Sequence, residues 1–297
     1  MIKLFVLLVF ATSIVYLQFR GQVRHKWMKQ IFDHSALLAP LNVGMYLFSG
    51  VSTRPYVPTS AFAGLDQLET HWEEIRAEAL ALAERIKAAT QHDDAGFNSF
   101  FKEGWKRFYL KWYDDPPPSA RHCPRTVELL RQTPCIKAAL FAYLPAGAKL
   151  NPHRDPYAGS LRYHLGLRTP NDDRCRIWVD GQTYSWRDGQ SVVFDETYIH
   201  WVRNDTDQDR LILLCDVERP MKYRWAQWIN HAFSRYVMTA AASPNEVGDR
   251  VGLIGRFFHL AFVAGQYRRR FKRWNRPVYQ ATKFVLIVGV IAALVWL

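Results

Sequence analysis

Three side chains that can bind a metal ion lie at two places in the chain. His153 and Asp155 are separated by one residue, and His200 follows later. In an extended strand, residues two apart point to the same side, so His153 and Asp155 can converge while Arg154 points away. Two imidazoles and one carboxylate form the ligand set that holds non-haem Fe(II) and leaves the opposite positions open. The pattern therefore predicts an iron site at His153, Asp155 and His200.

An arginine follows the second histidine by ten residues. The runs 198–202 and 210–214 are typical of strands and are separated by the polar turn 204–207, so a hairpin would place His200 opposite Arg210. A guanidinium can bind a carboxylate through two parallel hydrogen bonds, which an ammonium cannot do. A dicarboxylate that chelates iron at one end and meets this cation at the other fits 2-oxoglutarate.

Each of these motifs is short and has a plainer interpretation. A His-x-Asp pair arises by chance in many chains, and a single strand histidine is more often packed than bound to a metal. Arg162 and His164 alternate with Tyr163 and Leu165, as in a half-buried antiparallel strand whose polar side chains face solvent. Spacing alone favours that solvent-facing interpretation for Arg162 and His164.

Short strands separated by polar turns dominate the middle of the chain and predict a jelly roll or a β-sandwich. The predicted strands are Ile136–Leu144, Leu161–Arg168, Cys175–Val179, Thr183–Trp186, Ser191–Phe194, Ile199–Arg203 and Arg210–Val217. Before them, Asp66 with Glu69 three residues later predicts a capped helix that carries an apolar stripe as far as Ile86. Helices are also predicted at Tyr223–Met238 and Val251–Gly265.

Two longer segments resemble the aspartyl/asparaginyl β-hydroxylase family, and within it the bacterial lipid A 2-hydroxylases. They are residues 153–167, which begin His-Arg-Asp-Pro-Tyr, and residues 193–200, which end at His200. The likeness extends from about Asp33 to Pro277. It implies a mainly β catalytic core, a double-stranded β-helix (jelly roll) with flanking α-helices, that uses Fe(II), 2-oxoglutarate and O2.

The resemblance also assigns roles by motif position. His153 and His200 match the iron ligands of the family, and Arg210 matches the arginine that holds the distal carboxylate of the cosubstrate. Arg162 and His164 match positions that contact the cosubstrate in the peptide-hydroxylating relatives.

Two departures from the peptide-hydroxylating branch are visible. That branch has lost the acidic ligand, whereas Asp155 is present here, so the peptide branch is the poorer match. Ala142 stands where that branch offers a hydroxyl to the cosubstrate, so the contact is replaced or missing in this chain.

The charge distribution points to a membrane rather than to nucleic acid. The net charge is +12, but five basic residues precede Asp33 and nine follow Asp249, with no acidic residue in either end. The central part is close to neutral, which argues against a nucleic-acid-binding domain. The basic run 268–276 is followed by an apolar tail, and this arrangement is typical of a segment that binds anionic headgroups.

Apolar runs occupy both ends of the chain and are predicted to be membrane anchors. Leu4 to Phe19 is closed by Arg20 with no small-x-small cleavage site, and Phe284 to Leu297 is opened by Lys283. Positive charge on the inner side of each run places the intervening chain in the cytoplasm by the positive-inside rule. The predicted location is the bacterial inner membrane, with the catalytic domain facing the cytoplasm.

The four cysteines show no metal-ligand spacing, which agrees with a reducing compartment. Five zones are predicted, in chain order an anchor, a juxtamembrane and helical region, a jelly-roll core, a basic helical region and a membrane segment. Their bounds are 1–20, 21–101, 102–220, 221–283 and 284–297.

The predicted function is hydroxylation of the 2-position of a fatty acyl chain of lipid A or a related acylated glycolipid. Three alternatives stay open, namely a hydroxylase of another acyl lipid such as ornithine lipid, a peptidyl Asp/Asn β-hydroxylase, and a membrane scaffold without enzymatic activity.

Overall fold

The structure, a computed structural model, describes residues 2–245 except 32, 89–97, 102 and 114, together with 249, 252, 270, 271, 273–275, 277–279 and 282. The apolar segment 284–297 lies outside the described residues. So do the predicted helix at 251–265, except residue 252, and residues 268, 269, 272 and 276 of the basic run.

The centre of the protein consists of two antiparallel sheets that face each other. The strands are β1 (Tyr56–Val57), β2 (Lys106–Trp112), β3 (Ile136–Leu144), β4 (Lys149–His153), β5 (Ser160–Arg168), β6 (Cys175–Val179), β7 (Gln182–Ser185), β8 (Ser191–Phe194), β9 (His200–Asn204) and β10 (Arg210–Glu218). One sheet has the order β1-β8-β5-β10-β3-β2 and the other β4-β9-β6-β7. The predicted jelly-roll core is confirmed.

One predicted pairing is wrong. The sequence predicts a hairpin of 198–202 with 210–214, but β9 belongs to the four-stranded sheet and β10 to the six-stranded sheet. The turn between them crosses from one sheet to the facing sheet. His200 and Arg210 nevertheless approach each other, because both side chains point into the space between the two sheets.

Alternation along β5 sorts its side chains between two environments. Tyr163 and Leu165 pack in the apolar core between the six-stranded sheet and the helices, whereas Arg162 and His164 line the cavity between the sheets. Both polar residues are buried, so the solvent-facing interpretation is wrong for them. A strand covered on both faces reads as a continuously buried run, which is what β5 shows from Ser160 to Leu167.

Helices cover the outer face of the larger sheet and one end of the sandwich. They are α1 (Ile2–Arg20), α2 (Trp27–Ile31), α3 (His34–Leu37), α4 (Ala39–Leu47), α5 (Leu65–Thr70), α6 (Trp72–Ala81), α7 (Ala83–Ala88), α8 (Asn98–Phe101), α9 (Pro124–Arg131) and α10 (Arg224–Phe233). A π-helical turn, Ser234–Met238, continues α10.

The helix predicted from Asp66 to Ile86 forms as three consecutive helices, α5, α6 and α7, interrupted at His71 and Leu82. Asp66 is not the cap, because the residue before α5 is Gly64, whose φ of 86° is accessible to glycine without a steric penalty. The predicted apolar stripe does pack in the core, as the burial of Ile75 and Ile86 shows.

Helix α1 is long and apolar enough to cross a membrane, with a mean hydropathy of 2.0 in its 18-residue window. Its first eleven residues, 2–12, contain no buried side chain. From Ser13 onward it packs on α4, where Leu17 joins an apolar cluster with Met45. Its C-terminal half is therefore part of the folded domain.

Candidate metal centre and cosubstrate cavity

The three predicted metal ligands converge. Strands β4 and β9 pair so that His153 lies directly opposite His200, with ring centroids 4.2 Å apart. Asp155 follows just beyond the end of β4, where its backbone N–H donates to the carbonyl of Glu196 over 2.9 Å. One ligand atom from each of the three residues lies within 4.8 Å of the others. Arg154 points away from them, toward the Leu17 carbonyl, as the two-residue periodicity predicts.

Both imidazoles have the orientation that a metal requires. Nδ1 of His153 lies 2.7 Å from the carbonyl of Asn151, and Nδ1 of His200 lies 3.0 Å from that of Tyr198. With Nδ1–H donating to a carbonyl, the lone pair on Nε2 is left for a ligand, which is the usual arrangement around metal-binding histidines. Burial and the neighbouring His153 lower the pKa of His200 to about 3, and burial lowers the pKa of His153. Both rings are therefore neutral at pH 7, as metal ligands must be.

The carboxylate of Asp155 is held in place by Arg162. Nη2 of Arg162 donates to Oδ2 of Asp155 over 2.5 Å, and the same guanidinium pairs with Glu196 and, over 2.5 Å, with Asp216. Burial alone would raise the pKa of Asp155, but Arg162 and the two imidazoles outweigh burial and hold that pKa below its usual range. Asp155 is thus available as an anionic ligand near neutral pH.

The surroundings of Arg162 carry an excess of acidic groups. Three carboxyl groups, on Asp155, Glu196 and Asp216, face one guanidinium in a buried site. Burial raises the pKa of Glu196 well above its ordinary value, and it also raises that of Asp216. A divalent cation between the imidazoles and Asp155 would favour the ionised forms of these carboxyl groups, and the donor set of two imidazoles and one carboxylate fits a metal such as Fe(II).

Arg210 lies in the same cavity as the three predicted ligands. It is buried, its guanidinium lies 4.2 Å from the ring centre of Trp186, and no described residue accepts a hydrogen bond from its Nε or Nη1. Burial lowers its pKa to about 10, so it stays charged at neutral pH. A buried cation with unused donors is costly unless an anion completes it, which fits a carboxylate of a bound molecule.

His164 is the second unsatisfied group near Arg210. Its Nδ1 accepts from Nε1–H of Trp186 over 3.3 Å, and no described residue bonds its Nε2. Burial and the charge of Arg210 lower its pKa well below the ordinary value, so the ring is neutral. The predicted contacts of His164 and Arg162 with a cosubstrate stay predictions, and for Arg162 the structure adds the contact with Asp155.

The rest of the cavity is mostly apolar. Besides the polar groups above, its lining includes Phe100, Trp105, Leu150, Ile177, Phe194, Val202 and Leu214. The Phe100 ring centroid lies 4.7 Å from that of His153. Ala142, where the peptide-hydroxylating relatives offer a hydroxyl, is buried in the apolar core between the sheets. This lining suits an aliphatic substrate better than a charged one.

The segment that leads to His200 is held by the end of α1. Arg20 donates to Oδ2 of Asp195 over 2.6 Å and to Oγ1 of Thr197 over 2.9 Å. Its guanidinium lies between the rings of Tyr46 and Tyr198, 3.8 and 3.9 Å from their centres. We call this contact the Arg20 clamp. It joins the apolar N-terminal helix to the residues immediately before a predicted metal ligand.

Several residues of the site carry no signal that the sequence interpretation used. Asp216 lies six residues after Arg210 on the same strand and so has the same inward parity, which alternation along β10 could have shown. Trp186 lies outside the motifs, and Glu196 lies within the segment 193–200 but receives no role from the resemblance. Arg20 looks like the positive end of a membrane anchor, and nothing local to it indicates the contact with Asp195.

The sequence of this chain matches a known protein family. The family model described as aspartyl/asparaginyl beta-hydroxylase matches residues 69–220, slightly more than half of the chain. This range contains every predicted site residue.

Individual relatives align with roughly two thirds of this chain. An ornithine lipid ester-linked acyl 2-hydroxylase from Rhizobium tropici is 29% identical over 188 residues, which are 61% of this chain and 67% of that protein. The human aspartyl/asparaginyl beta-hydroxylase is 26% identical over 206 residues, 66% of this chain, but the match spans only 27% of the human protein. Among solved structures, a Pseudomonas putida prolyl-4-hydroxylase aligns over 61% of this chain and 98% of that one, with 19% identity and a TM-score of 0.36.

Proposed function

The chain belongs to the aspartyl/asparaginyl beta-hydroxylase family, and we propose that it is a membrane-anchored Fe(II)- and 2-oxoglutarate-dependent dioxygenase that hydroxylates a lipid acyl chain. One observation carries the proposal. His153, Asp155 and His200 converge in a cavity where Arg210 is buried with unused donors. A metal site beside an unpaired cation is what a chelating dicarboxylate requires.

In this proposal His153 and His200 bind Fe(II) through Nε2 and Asp155 binds it through a carboxylate oxygen. Bound Fe(II), with 2-oxoglutarate and O2 as cosubstrates, supplies the oxidising power that hydroxylation of an unactivated C–H bond needs. Arg210 donates to the distal carboxylate of 2-oxoglutarate, and His164 assists. Arg162 keeps the Asp155 carboxylate directed at the metal.

The residues around the site keep water from the reacting atoms. Phe100, Leu150 and Phe194 give the cavity an apolar wall on the side of the imidazoles. Such a wall accommodates a methylene chain and strengthens the electrostatic contacts inside the cavity, because it lowers the local dielectric constant.

The favoured substrate is lipid A, hydroxylated at the 2-position of one fatty acyl chain. The resemblance of residues 153–167 and 193–200 to lipid A 2-hydroxylases supports this choice, and α1 supports a substrate that resides in a membrane. The enzyme would act at the cytoplasmic side of the inner membrane, because basic residues follow the N-terminal apolar run and precede the C-terminal one.

Ornithine lipid is the second candidate, and a specific observation favours it. The Rhizobium tropici relative, whose name specifies an ester-linked acyl chain of ornithine lipid, matches 61% of this chain. Both candidates place the same acyl position next to the same iron, so the cavity described above serves either one.

The test is expression of the full chain in a bacterium that makes lipid A and ornithine lipid without 2-hydroxylation. Mass spectrometry of extracted lipids should show one added oxygen on an acyl chain of lipid A, and a His153→Ala chain should add none. If ornithine lipid gains the oxygen and lipid A does not, ornithine lipid replaces lipid A as the assigned substrate. If no lipid changes and purified protein forms no succinate from 2-oxoglutarate with Fe(II), the proposed function is refuted. A reporter fusion that places residues 102–220 in the periplasm would refute the orientation.

A further inference from the structure

Helix α10 and the π-helical turn after it expose a row of aromatic side chains. Trp225, Trp228 and Tyr236 are 51%, 71% and 73% exposed. Spacings of three and eight residues place all three on one side of the helix. The opposite side is occupied by Ala226 and Asn230, which are buried in the domain. We call Trp225, Trp228 and Tyr236 the aromatic face.

Large aromatic side chains are unusual at such exposure on a protein surrounded only by water. Tryptophan and tyrosine are enriched where a protein meets the headgroup layer of a bilayer, because one part of each ring system is apolar and another can hydrogen bond. The aromatic face has the composition of that layer.

The aromatic face is continuous with the apolar N-terminal helices. Phe48, at the end of α4, contacts Trp225 edge to face with centroids 4.7 Å apart. On the adjoining side of α10, Ile229 packs against the cluster that α1 and α4 form through Leu17 and Met45. Leu47, beside Phe48, is itself 63% exposed.

Helix α1 determines how close the aromatic face lies to the membrane. No spacer separates its exposed residues 2–12 from the part that packs on the domain, which begins at Ser13. The outward side of that packed part is still apolar, since Val15, Tyr16 and Phe19 are all exposed. Eight packed residues, 13–20, span about 12 Å. Lipid that surrounds α1 therefore reaches the neighbouring surface of the domain.

The charge of the same region favours anionic lipid. Lys222, Arg224 and Arg235 are exposed next to the aromatic face, and residues 219–245 contain no Asp or Glu. Basic residues close to an anionic leaflet are attracted to it electrostatically. Positive charge beside exposed aromatic rings is typical of helices that lie in the plane of a membrane interface.

We propose that the aromatic face, together with Leu47 and the outward side of α1, is a lipid-facing surface that seats the catalytic domain in the headgroup layer of an anionic bilayer. This inference rests on the membrane anchoring in the proposed function, but it does not depend on which lipid is hydroxylated. Helix α10 lies in the interface with its axis along the membrane, and Ala226 and Asn230 connect it to the domain.

The experiment uses the full chain in vesicles of phosphatidylglycerol and phosphatidylcholine. Cys135, the partly exposed native cysteine, is first replaced by serine. A cysteine is then introduced at Trp228, and a matched one at Asp207, an exposed residue in the turn after β9. Each is labelled with an environment-sensitive NBD dye. Unchanged Co(II) binding in the labelled proteins verifies that both are folded.

We expect the dye at position 228 to emit at shorter wavelength, to be quenched several-fold more by spin-labelled lipid than the dye at 207, and to be protected from iodide. In vesicles of phosphatidylcholine alone, the difference in lipid quenching between positions 228 and 207 should be smaller. Equal iodide access at 228 and 207 overturns the proposal. Protection at 228 without lipid quenching also overturns it, because a second copy of the chain then covers the face. Hydroxylation is assayed separately, so failure of the proposed function leaves these readouts intact.

Discussion

Replacement of Arg20 by glutamine tests whether the N-terminal helix is part of the folded site. The change removes a 2.6 Å ion pair with Asp195, two further hydrogen bonds and the contacts with two tyrosine rings. The Asp195 carboxylate, which is fully buried, keeps Arg219 as a partner over 2.7 Å. Loss of one partner of a buried ion pair costs about 3–5 kcal/mol. Because Arg219 still pairs with Asp195, we expect a loss at the lower end of this range, about 3 kcal/mol.

That loss has two measurable consequences. At about 2–4 °C per kcal/mol for a domain of this size, the midpoint of thermal unfolding in detergent should fall by about 6–12 °C. Because Asp195 and Thr197 lead directly to His200, the affinity of the metal-free protein for Co(II) should fall as well, by roughly tenfold, which corresponds to about 1.4 kcal/mol.

Arg24→Gln is the matched control, since Arg24 is an exposed arginine four residues later whose contacts within the described part of the chain are with the Phe19 ring and the Gly21 carbonyl. Its unfolding free energy should change by less than about 0.5 kcal/mol. Equal unfolding midpoints and equal Co(II) affinities for Arg20→Gln and Arg24→Gln would refute the clamp as a support of the site.

Four further predictions concern the site itself. His153→Ala and His200→Ala should each abolish Co(II) and Fe(II) binding in a folded protein, and metal-dependent turnover in either variant would contradict the ligand assignment. Asp155→Ala should weaken metal binding strongly without abolishing it, which a metal titration with the two histidines intact can measure. Arg210→Ala should raise the 2-oxoglutarate concentration needed for half-maximal turnover roughly tenfold to a hundredfold, from the loss of about 1.5–3 kcal/mol, while metal affinity stays constant; unchanged dependence on 2-oxoglutarate would leave Arg210 with a structural role only. Below pH 6.5 the unfolded chain protonates histidines that the fold keeps neutral, and the pKa of His200 is lowered to about 3. The free energy of unfolding of the metal-free protein, measured by urea titration, should therefore fall from pH 7 to pH 5 by up to about 1.4 kcal/mol per pH unit for each such histidine, and His200→Gln should flatten this slope.

Local periodicity predicts seven of the ten strands that the structure describes, all except β1, β2 and β4, and it predicts much of the candidate site. The alternation of Arg162 and His164 with Tyr163 placed the polar pair on one side of β5, and the His-x-Asp spacing placed two ligands together. Local pattern could not decide whether that polar side faces solvent or a cavity, because both environments produce the same alternation. Only the pairing of β5 with its neighbours and the facing sheet buries these residues.

The errors have a common physical origin in nonlocal structure. A polar turn between two strands is compatible with a hairpin or with a corner between facing sheets, and the turn before Arg210 forms a corner. The helix after Gly64 carries a single apolar stripe, yet it breaks at His71 and Leu82, and the periodicity of the stripe does not mark these breaks. The link from Arg20 to Asp195 leaves no local trace, because charge at the end of an apolar run indicates membrane topology equally well.

The Arg20 clamp joins two parts of the chain that are synthesised at different times. Its two main partners, Arg20 and Asp195, are 175 residues apart in the chain. At about 5–20 residues per second, roughly 10–35 s of translation separate the emergence of Arg20 from that of Asp195. With the proposed membrane anchoring, helix α1 has time to enter the bilayer before its partner exists, and the segment leading to His200 would then dock on an inserted helix. We expect iron binding to follow this docking step, because the contact of Arg20 with Asp195 holds the segment that leads to His200.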